Sequence, residues 1–231
     1  MDKIKLAYRL LYISGVMLLL TSIFHEPWLV YTKTLVVISL SFFYLVTAKK
    51  IRYLVLIALL IVLISEVLSV IDFKKYFRVI NVLMSFYYCF NMMLLWKSLK
   101  KVKIQLKRIF TIQLGITMSL ITYVVYSVAD MISLNIGDDQ FYLNILIILF
   151  ILFIGFCYYI YLNSKTVVSS SLMIAASCFL IVNILTILNK MYVYLDVFVV
   201  ITNVLQLFGH YFLVKFFVEQ EDLKPDDVEF F

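Results

Sequence analysis

The stretch that decides the fold is IRYLVLIALLIVLISEVLSVI, which covers residues 51 to 71. After Arg52 it contains only one side chain that is charged at neutral pH, Glu66. A helix needs about 20 consecutive apolar residues to cross the hydrocarbon core of a bilayer. The stretch therefore predicts a transmembrane helix that places Glu66 inside the membrane.

The same pattern recurs along the whole chain of 231 residues, of which 65% are hydrophobic. Soluble domains are only about 45–50% apolar, and the scarcity of glycine (5) and proline (2) suits long uninterrupted helices. Breaks in hydropathy predict eight spans: residues 7–24, 29–48, 51–71, 77–96, 109–129, 141–163, 167–189 and 193–218. The predicted fold class is an all-α polytopic membrane bundle over residues 1–218, followed by a short acidic cytoplasmic tail over 219–231.

Lysine and arginine are unevenly distributed between the predicted loops. Fifteen lie on the side that carries the N-terminus and five on the other side. Because these residues collect in cytoplasmic loops, the bias predicts both termini in the cytoplasm, in the inner membrane of a bacterial-type cell. It also explains the net charge of +6 without a nucleic-acid partner. We expect the first span to be retained, since no signal-peptide cleavage site follows it.

The sequence lacks the motifs of several common kinds of functional site. The three cysteines, Cys89, Cys157 and Cys178, lie inside apolar runs and give no disulfide framework or metal-ligand spacing. A glycine-rich phosphate loop and a Ser-His-Asp signature are also missing from the sequence. We therefore expect neither a metal nor a cofactor.

Glu66 lies in the decisive span as Ser65-Glu66-Val67-Leu68. It precedes Asp72 by six residues, which places it almost two helical turns inside the membrane interface. One interpretation is a proton donor, since an intramembrane acid is by default a functional-site hypothesis. The other is a structural carboxylate that reaches the interface or pairs with a loop lysine.

Polar side chains form stripes at helical spacing on four other spans. They are Asn81, Ser85 and Tyr88; Tyr123, Ser127 and Asp130; Asn183, Thr186 and Lys190; and Asn203, Gln206 and His210. Facing inward, these stripes predict a polar cavity within the bundle. The alternative is ordinary interhelical hydrogen bonding, worth about 0.6 kcal/mol per bond.

Two single residues also have two interpretations each. His210 is either a proton shuttle or a structural histidine without a fixed partner. Lys33, at the start of the second span, either reaches the lipid headgroups along its aliphatic stem or meets a phosphate.

Four local motifs between the second and eighth spans occur in the order of a known family. They are Thr32-Lys33-Thr34-Leu35, Ser65-Glu66-Val67-Leu68, Phe179 to Asn183 followed by Asn189-Lys190, and Tyr211 to Lys215. The chain resembles the YhhN family of lysoplasmalogenase-like membrane proteins, which have eight spans. Asn183 stands where that family has an aspartate, Glu66 where it has an aspartate one methylene shorter, and the fourth span lacks the family's histidine.

The resemblance implies hydrolysis of the vinyl-ether bond of lysoplasmalogen, with a lysophospholipid-like membrane lipid as the partner. It implies that Glu66 donates the proton, Asn183 orients water and Lys33 meets the phosphate. Asn203, together with Asn183, would hold water or headgroup hydroxyls, Gln206 would contact the substrate, and Asp130 or His210 would compensate for the missing histidine. The alternatives are a non-catalytic protein that binds lipid or a partner helix, and a small transporter or sensor. The sequence leaves the oligomeric state undetermined.

Overall fold

A computed structural model of the chain describes residues 3–24, 26–101, 112–164 and 167–220. The described residues form eight α-helices and two single-turn 3-10 helices. The α-helices are α1 Lys3–Phe24, α2 Leu29–Thr47, α3 Tyr53–Asp72, α4 Phe77–Lys101, α5 Ile112–Ile136, α6 Gln140–Ser164, α7 Val167–Met191 and α8 Asp196–Glu219.

Each predicted span corresponds to one of these helices, so the all-α polytopic bundle is confirmed. The predicted acidic tail from position 221 onward and residues 102–111 before α5 lie outside the described residues.

The packing of the helices is that of a membrane protein, with small residues between helices and large apolar ones outside. Ser14, Ser169 and Ala175 are completely buried. Leu60 and Ile148, by contrast, are 54% and 59% exposed. Small residues let helix backbones approach closely, and lipid covers the large apolar side chains. Helices suit this environment because they satisfy their own backbone hydrogen bonds.

Seven of the helices form a closed ring. α1 packs on α2, α2 on α3, α3 on α4, α4 on α6, α6 on α7 and α7 on α8, and α8 returns to α1 and α2. Among the described residues, these same seven helices are long and apolar enough to cross a membrane. The chain is thus a multi-pass membrane protein.

α5 lies outside the ring, against α6 and α7. Its 25 residues span about 37 Å at 1.5 Å per residue, but its apolar part is shorter, Met118–Ile132.

The polar stripe predicted to face inward on α5 faces outward, which corrects that prediction. Tyr123 is 69% exposed, and Asp130 is exposed as well. The buried side of α5 consists of Ile121, Val125, Val128 and Ile132, which recur every three or four residues. This apolar face packs on the ring, so the side chains on the opposite face of the helix are turned away from it.

Polar side chains tie the helices together at both ends of the bundle. At one end, Arg52 donates a 2.6 Å hydrogen bond from a guanidinium nitrogen to Gln220 Oε1, and Gln220 Nε2 donates to Ser98 Oγ. At the other end, Arg78 Nε lies 3.1 Å from Asp139 Oδ1. We call these the Gln220 end and the Asp139 end.

Two local hydrogen bonds and one glycine shape the connections between helices at the Asp139 end. Asp72 Oδ1 accepts a 3.0 Å bond from Lys75 N in the turn between α3 and α4. Asn189 Oδ1 accepts a 2.6 Å bond from Leu195 N between α7 and α8. Gly137, between α5 and α6, has φ +56°, a conformation that glycine adopts without steric cost. Of the residues in these connections, Asn189 also lines the cavity described next.

Candidate functional site

A cavity of about 110 Å³ lies inside the ring, towards the Asp139 end. Its walls come from α2, α3, α4, α7 and α8, with Leu146 contributed by α6. The polar stripes predicted on spans 4, 7 and 8 all contribute residues to it. The space suits several ordered waters or a small polar headgroup.

Six of the seven residues predicted to form a site line this one cavity: Lys33, Glu66, Asn183, Asn203, Gln206 and His210. They come from four different helices, so tertiary packing has brought them together. The seventh, Asp130, does not line the cavity, because it lies on the outward face of α5.

Lys33 and Glu66 form an ion pair at the centre of this set. Lys33 Nζ lies 2.6 Å from Glu66 Oε2, and the two side chains are only 14% and 15% exposed. Gln206 Nε2 donates a 2.5 Å bond to the other carboxylate oxygen, Glu66 Oε1. Both oxygens of Glu66 therefore accept a hydrogen bond. The loop lysine considered as a partner from the sequence is instead a helical lysine, from α2.

Asn183 is anchored by its amide nitrogen. Its Nδ2 atom donates one 2.8 Å bond to Tyr88 Oη and another to the backbone oxygen of Phe179. Its carbonyl oxygen Oδ1 takes part in neither bond and is an acceptor for a water or hydroxyl. Asn183 thus holds a fixed orientation in the same cavity as Glu66.

Asn203 and His210 are held by partners that the sequence analysis did not identify. Asn203 Nδ2 donates a 2.8 Å bond to Ser22 Oγ on α1, and His210 Nδ1 lies 3.2 Å from Tyr87 Oη on α4. His210 also packs against the ring of Phe179, with the ring centroids 5.0 Å apart. These partners lie far away in the sequence, so helical spacing offers no signal for them.

The cavity residues lie at graded depths from the Asp139 end. Lys33 and Asn81 are four residues inside the starts of α2 and α4, which corresponds to about 6 Å. Glu66 is six residues from the end of α3, about 9 Å deep, and Gln206 is ten residues into α8, about 15 Å deep. His210 is the deepest, about 21 Å from the start of α8.

Asn81 stands apart from the other polar residues of the cavity. It is 3% exposed, and its side-chain Nδ2 is buried with no hydrogen-bond partner among the described residues. Because a buried donor without an acceptor loses its solvation and gains nothing, such atoms are rare in folded proteins. Asn81 lines the cavity, and within the described part of the chain its amide nitrogen is the buried side-chain polar atom that lacks a hydrogen-bond partner.

Apolar side chains complete the wall, among them Val70, Ile80, Met84 and Val182. A cavity with a charged pair, several amides and an apolar wall matches an amphiphilic molecule better than a purely polar one. Among the described residues, groups of three or more His, Cys, Asp or Glu that could hold a metal ion are absent.

Comparison with known proteins identified no relative of this chain. No family model, no curated protein and no solved structure matches the chain. The resemblance to the YhhN family therefore stays a hypothesis carried by the four motifs.

Proposed function

We propose that this membrane protein binds a single-chain ether lipid in the cavity and hydrolyses the vinyl-ether bond of lysoplasmalogen. The observation that carries the proposal is the presence of a hydrogen-bonded carboxylate, Glu66, and an oriented amide, Asn183, in one cavity with an apolar wall. The YhhN resemblance supports the same activity through the residues at these two positions.

The reaction needs one proton donor and one water. A proton adds to the vinyl carbon remote from the ether oxygen, and the other vinyl carbon becomes an oxocarbenium ion. Water adds to that carbon, loses a proton, and the resulting hemiacetal breaks into a fatty aldehyde and a glycerophospho-alcohol. General acid-base catalysis by a positioned side chain contributes about 10²–10⁴-fold to such steps.

In this proposal Glu66 takes a proton from Lys33 Nζ, its partner in the ion pair, and passes it to the vinyl carbon; the carboxylate later takes one back from the attacking water. Gln206 and Lys33 orient the carboxyl group through the bonds to its two oxygens. Asn183 holds the attacking water through Oδ1, while its two donated bonds fix the direction of that oxygen. An amide cannot act as a base, so the proton acceptor is Glu66 itself.

The test measures fatty aldehyde released from lysoplasmalogen by the purified protein in detergent. We expect release by the wild type and a loss of at least about 100-fold in Glu66→Gln. This substitution keeps an acceptor oxygen for Gln206, and it removes the proton-carrying group together with the negative charge that pairs with Lys33. Ser85→Ala on α4 is a matched control, because its hydroxyl donates to its own helix, to Asn81 O. Equal background rates in the wild type and Glu66→Gln would overturn the proposal for this substrate.

A second candidate function is lipid binding without turnover. It is favoured by the engagement of both Glu66 oxygens and by an amide where the family has an acid. Native mass spectrometry of the wild type distinguishes the two functions. A retained lysolipid together with no aldehyde release would assign the protein to the binding class.

We also propose an orientation from the charge bias, with both termini cytoplasmic in the inner membrane. The Asp139 end and the mouth of the cavity would then face the opposite side. Labelling of a single cysteine placed at Lys75 or at Lys49 by a membrane-impermeant maleimide tests this. Labelling of intact cells at position 49 alone would reverse the orientation.

A further inference from the structure

We infer that one exposed face of α5 is the contact surface for a second copy of this chain. The inference is independent of the proposed hydrolysis, because no residue of α5 lines the cavity.

α5 lies beside a membrane-spanning helix along most of its length. Ile132 packs with Leu143 near the start of α6, and Met118 lies next to Gly155 in the second half of α6. The two helices are therefore antiparallel neighbours, and α6 is long and apolar enough to cross the membrane. The middle of α5, around Tyr123, is level with the middle of α6 and lies inside the hydrocarbon core.

Hydroxyl groups are exposed at this central level of α5. Tyr123 is 69% exposed, Tyr126 is 68% exposed and Thr122 is exposed as well. None of the hydrogen bonds among the described residues involves these three side chains. A tyrosine here is too short to reach headgroups about 15 Å away, and a hydroxyl without a partner is costly in hydrocarbon. This surface of α5 is therefore poorly matched to lipid.

The exposed surface of α5 is divided into a polar arc and an apolar arc. At 3.6 residues per turn, the polar arc covers about 100° of the helix. It consists of Gly115, Ser119, Thr122, Tyr123, Tyr126 and Asp130. The apolar arc lies beside it and consists of Ile116, Leu120, Val124 and Met131. Lipid suits the apolar arc, whereas the polar arc needs a polar neighbour.

Gly115 and Ser119 leave room for a neighbouring helix on the polar arc. They are one helical turn apart, and two small residues at this spacing let helices approach closely in membranes. A Cβ atom at Gly115 would meet no described atom within 4 Å. Packing within the described chain does not explain this glycine, although glycine favours a helix less than alanine does. Close contact with another helix explains it.

A second copy of the chain fits the polar arc. Each hydroxyl both donates and accepts a hydrogen bond, so two identical arcs complement each other about a twofold axis normal to the membrane. The arc carries no charge from Gly115 to Tyr126. Asp130 lies about 16 Å beyond Ser119, and helices that cross at Gly115 and Ser119 by about 40° have diverged at that level. The two carboxylates therefore stay apart.

The first experiment is oxidative cross-linking of Ser119→Cys in proteoliposomes of the purified full-length protein. We expect at least about fivefold more covalent dimer than in the wild type, whose own three cysteines are buried or half-buried. The matched controls are Leu60→Cys and Ile148→Cys, which lie on α3 and α6 and are 54% and 59% exposed in the wild type. Equal dimer yields at position 119 and at both control positions would overturn the inference.

The second experiment measures dimer dissociation by energy transfer between labelled copies as the proteoliposomes are diluted with lipid. We expect Gly115→Leu to weaken the dimer at least about tenfold, and Tyr123→Phe/Tyr126→Phe at least about fivefold. Both variants change only exposed positions, so they should fold. Tyr12→Phe is the matched control, because Tyr12 is 74% exposed on α1 but lies one turn from the charged Arg9, near the headgroups.

The two experiments also distinguish a second copy from other neighbours of α5. Unchanged dissociation in both Gly115→Leu and Tyr123→Phe/Tyr126→Phe would overturn the assigned surface. A monomer at every protein density would overturn the second copy. Cross-linking of Ser119→Cys in native membranes to a product of another mass would also overturn it, in favour of a different partner protein.

Discussion

Lys33 and Glu66 are 33 residues apart in the sequence, yet their side chains form a 2.6 Å ion pair inside the bundle. α2 and α3 pack against each other and run in opposite directions, so the start of one lies beside the end of the other. The pair places one positive and one negative charge at fixed positions inside the membrane, and both residues line the cavity.

Removal of one partner from this pair should destabilise the protein strongly. We expect Lys33→Met to lower the free energy of unfolding by about 3 kcal/mol, because it leaves a carboxylate without its cation in low-dielectric surroundings. The double variant Lys33→Met/Glu66→Gln should recover most of that loss, since it buries no lone charge and keeps an acceptor for Gln206. Chemical unfolding in detergent micelles measures both values.

The control for this prediction is the exposed pair of Arg78 and Asp139. These side chains are 55% and 33% exposed, so Arg78→Gln should lower the free energy of unfolding by less than about 1 kcal/mol. Equal losses in Lys33→Met and Arg78→Gln would contradict the buried ion pair.

Asn183→Asp should increase aldehyde release from lysoplasmalogen at least about tenfold, because a carboxylate at this position can take a proton from the attacking water. Asn203→Asp is the matched control, since Asn203 lines the same cavity but its amide is directed to Ser22 on α1. An absence of gain in Asn183→Asp, or an equal gain in Asn203→Asp, would argue against the assigned role of Asn183.

Tyr87→Phe should lower the free energy of unfolding by about 1–3 kcal/mol, because it removes the partner of Nδ1 of a buried histidine. His210 is 5% exposed and its Nδ1 lies 3.2 Å from Tyr87 Oη. Tyr88→Phe should lower the free energy of unfolding by a smaller amount, since Asn183 Nδ2 retains its bond to the backbone oxygen of Phe179. Thermal unfolding of the two variants in one detergent gives the comparison, and a larger loss in Tyr88→Phe would refute this assignment.

Gly209 permits the close approach of α8 to α7. A Cβ atom there would lie 3.0 Å from Phe179 Cε1 and 3.3 Å from Cys178 Cβ. Phe179 is itself packed against His210 and Phe153, so it has little room to move. We expect Gly209→Ala to destabilise the protein by about 1–3 kcal/mol and to weaken binding in the cavity that Phe179 lines.

Gly155→Ala provides the comparison for Gly209, because its Cβ atom would meet Met118 Cε at 3.6 Å, an ordinary contact. That substitution should be neutral or stabilise the protein by up to about 1 kcal/mol, since alanine favours the helix more than glycine does. Denaturant titration of both variants measures the difference. Similar values for the two would mean that α7 and α8 adjust to the added methyl group.

The site was partly predictable from the sequence. Glu66, Asn183 and the stripe of Asn203, Gln206 and His210 were identified because a polar residue in an apolar run is costly unless it faces the bundle interior. The same reasoning was wrong for Asp130. The outward face of α5 carries polar residues too, and spacing along one helix does not tell which of its faces meets the ring.

The eight helices themselves follow from the sequence alone. Whether a segment crosses a membrane depends on its own length and apolar content, which are local properties that need no tertiary information. The stretch from residue 51 to 71 therefore predicts α3 without knowledge of any neighbour.

The tertiary structure decided which side chains contact each other across the helices. The ion pair of Lys33 with Glu66, the bond of His210 to Tyr87 and the burial of Asn81 depend on how each helix is rotated and which helices it packs against. Those choices follow from the fit of many side chains along several interfaces at once. No single span contains that information, and so the cavity exists only in the folded bundle.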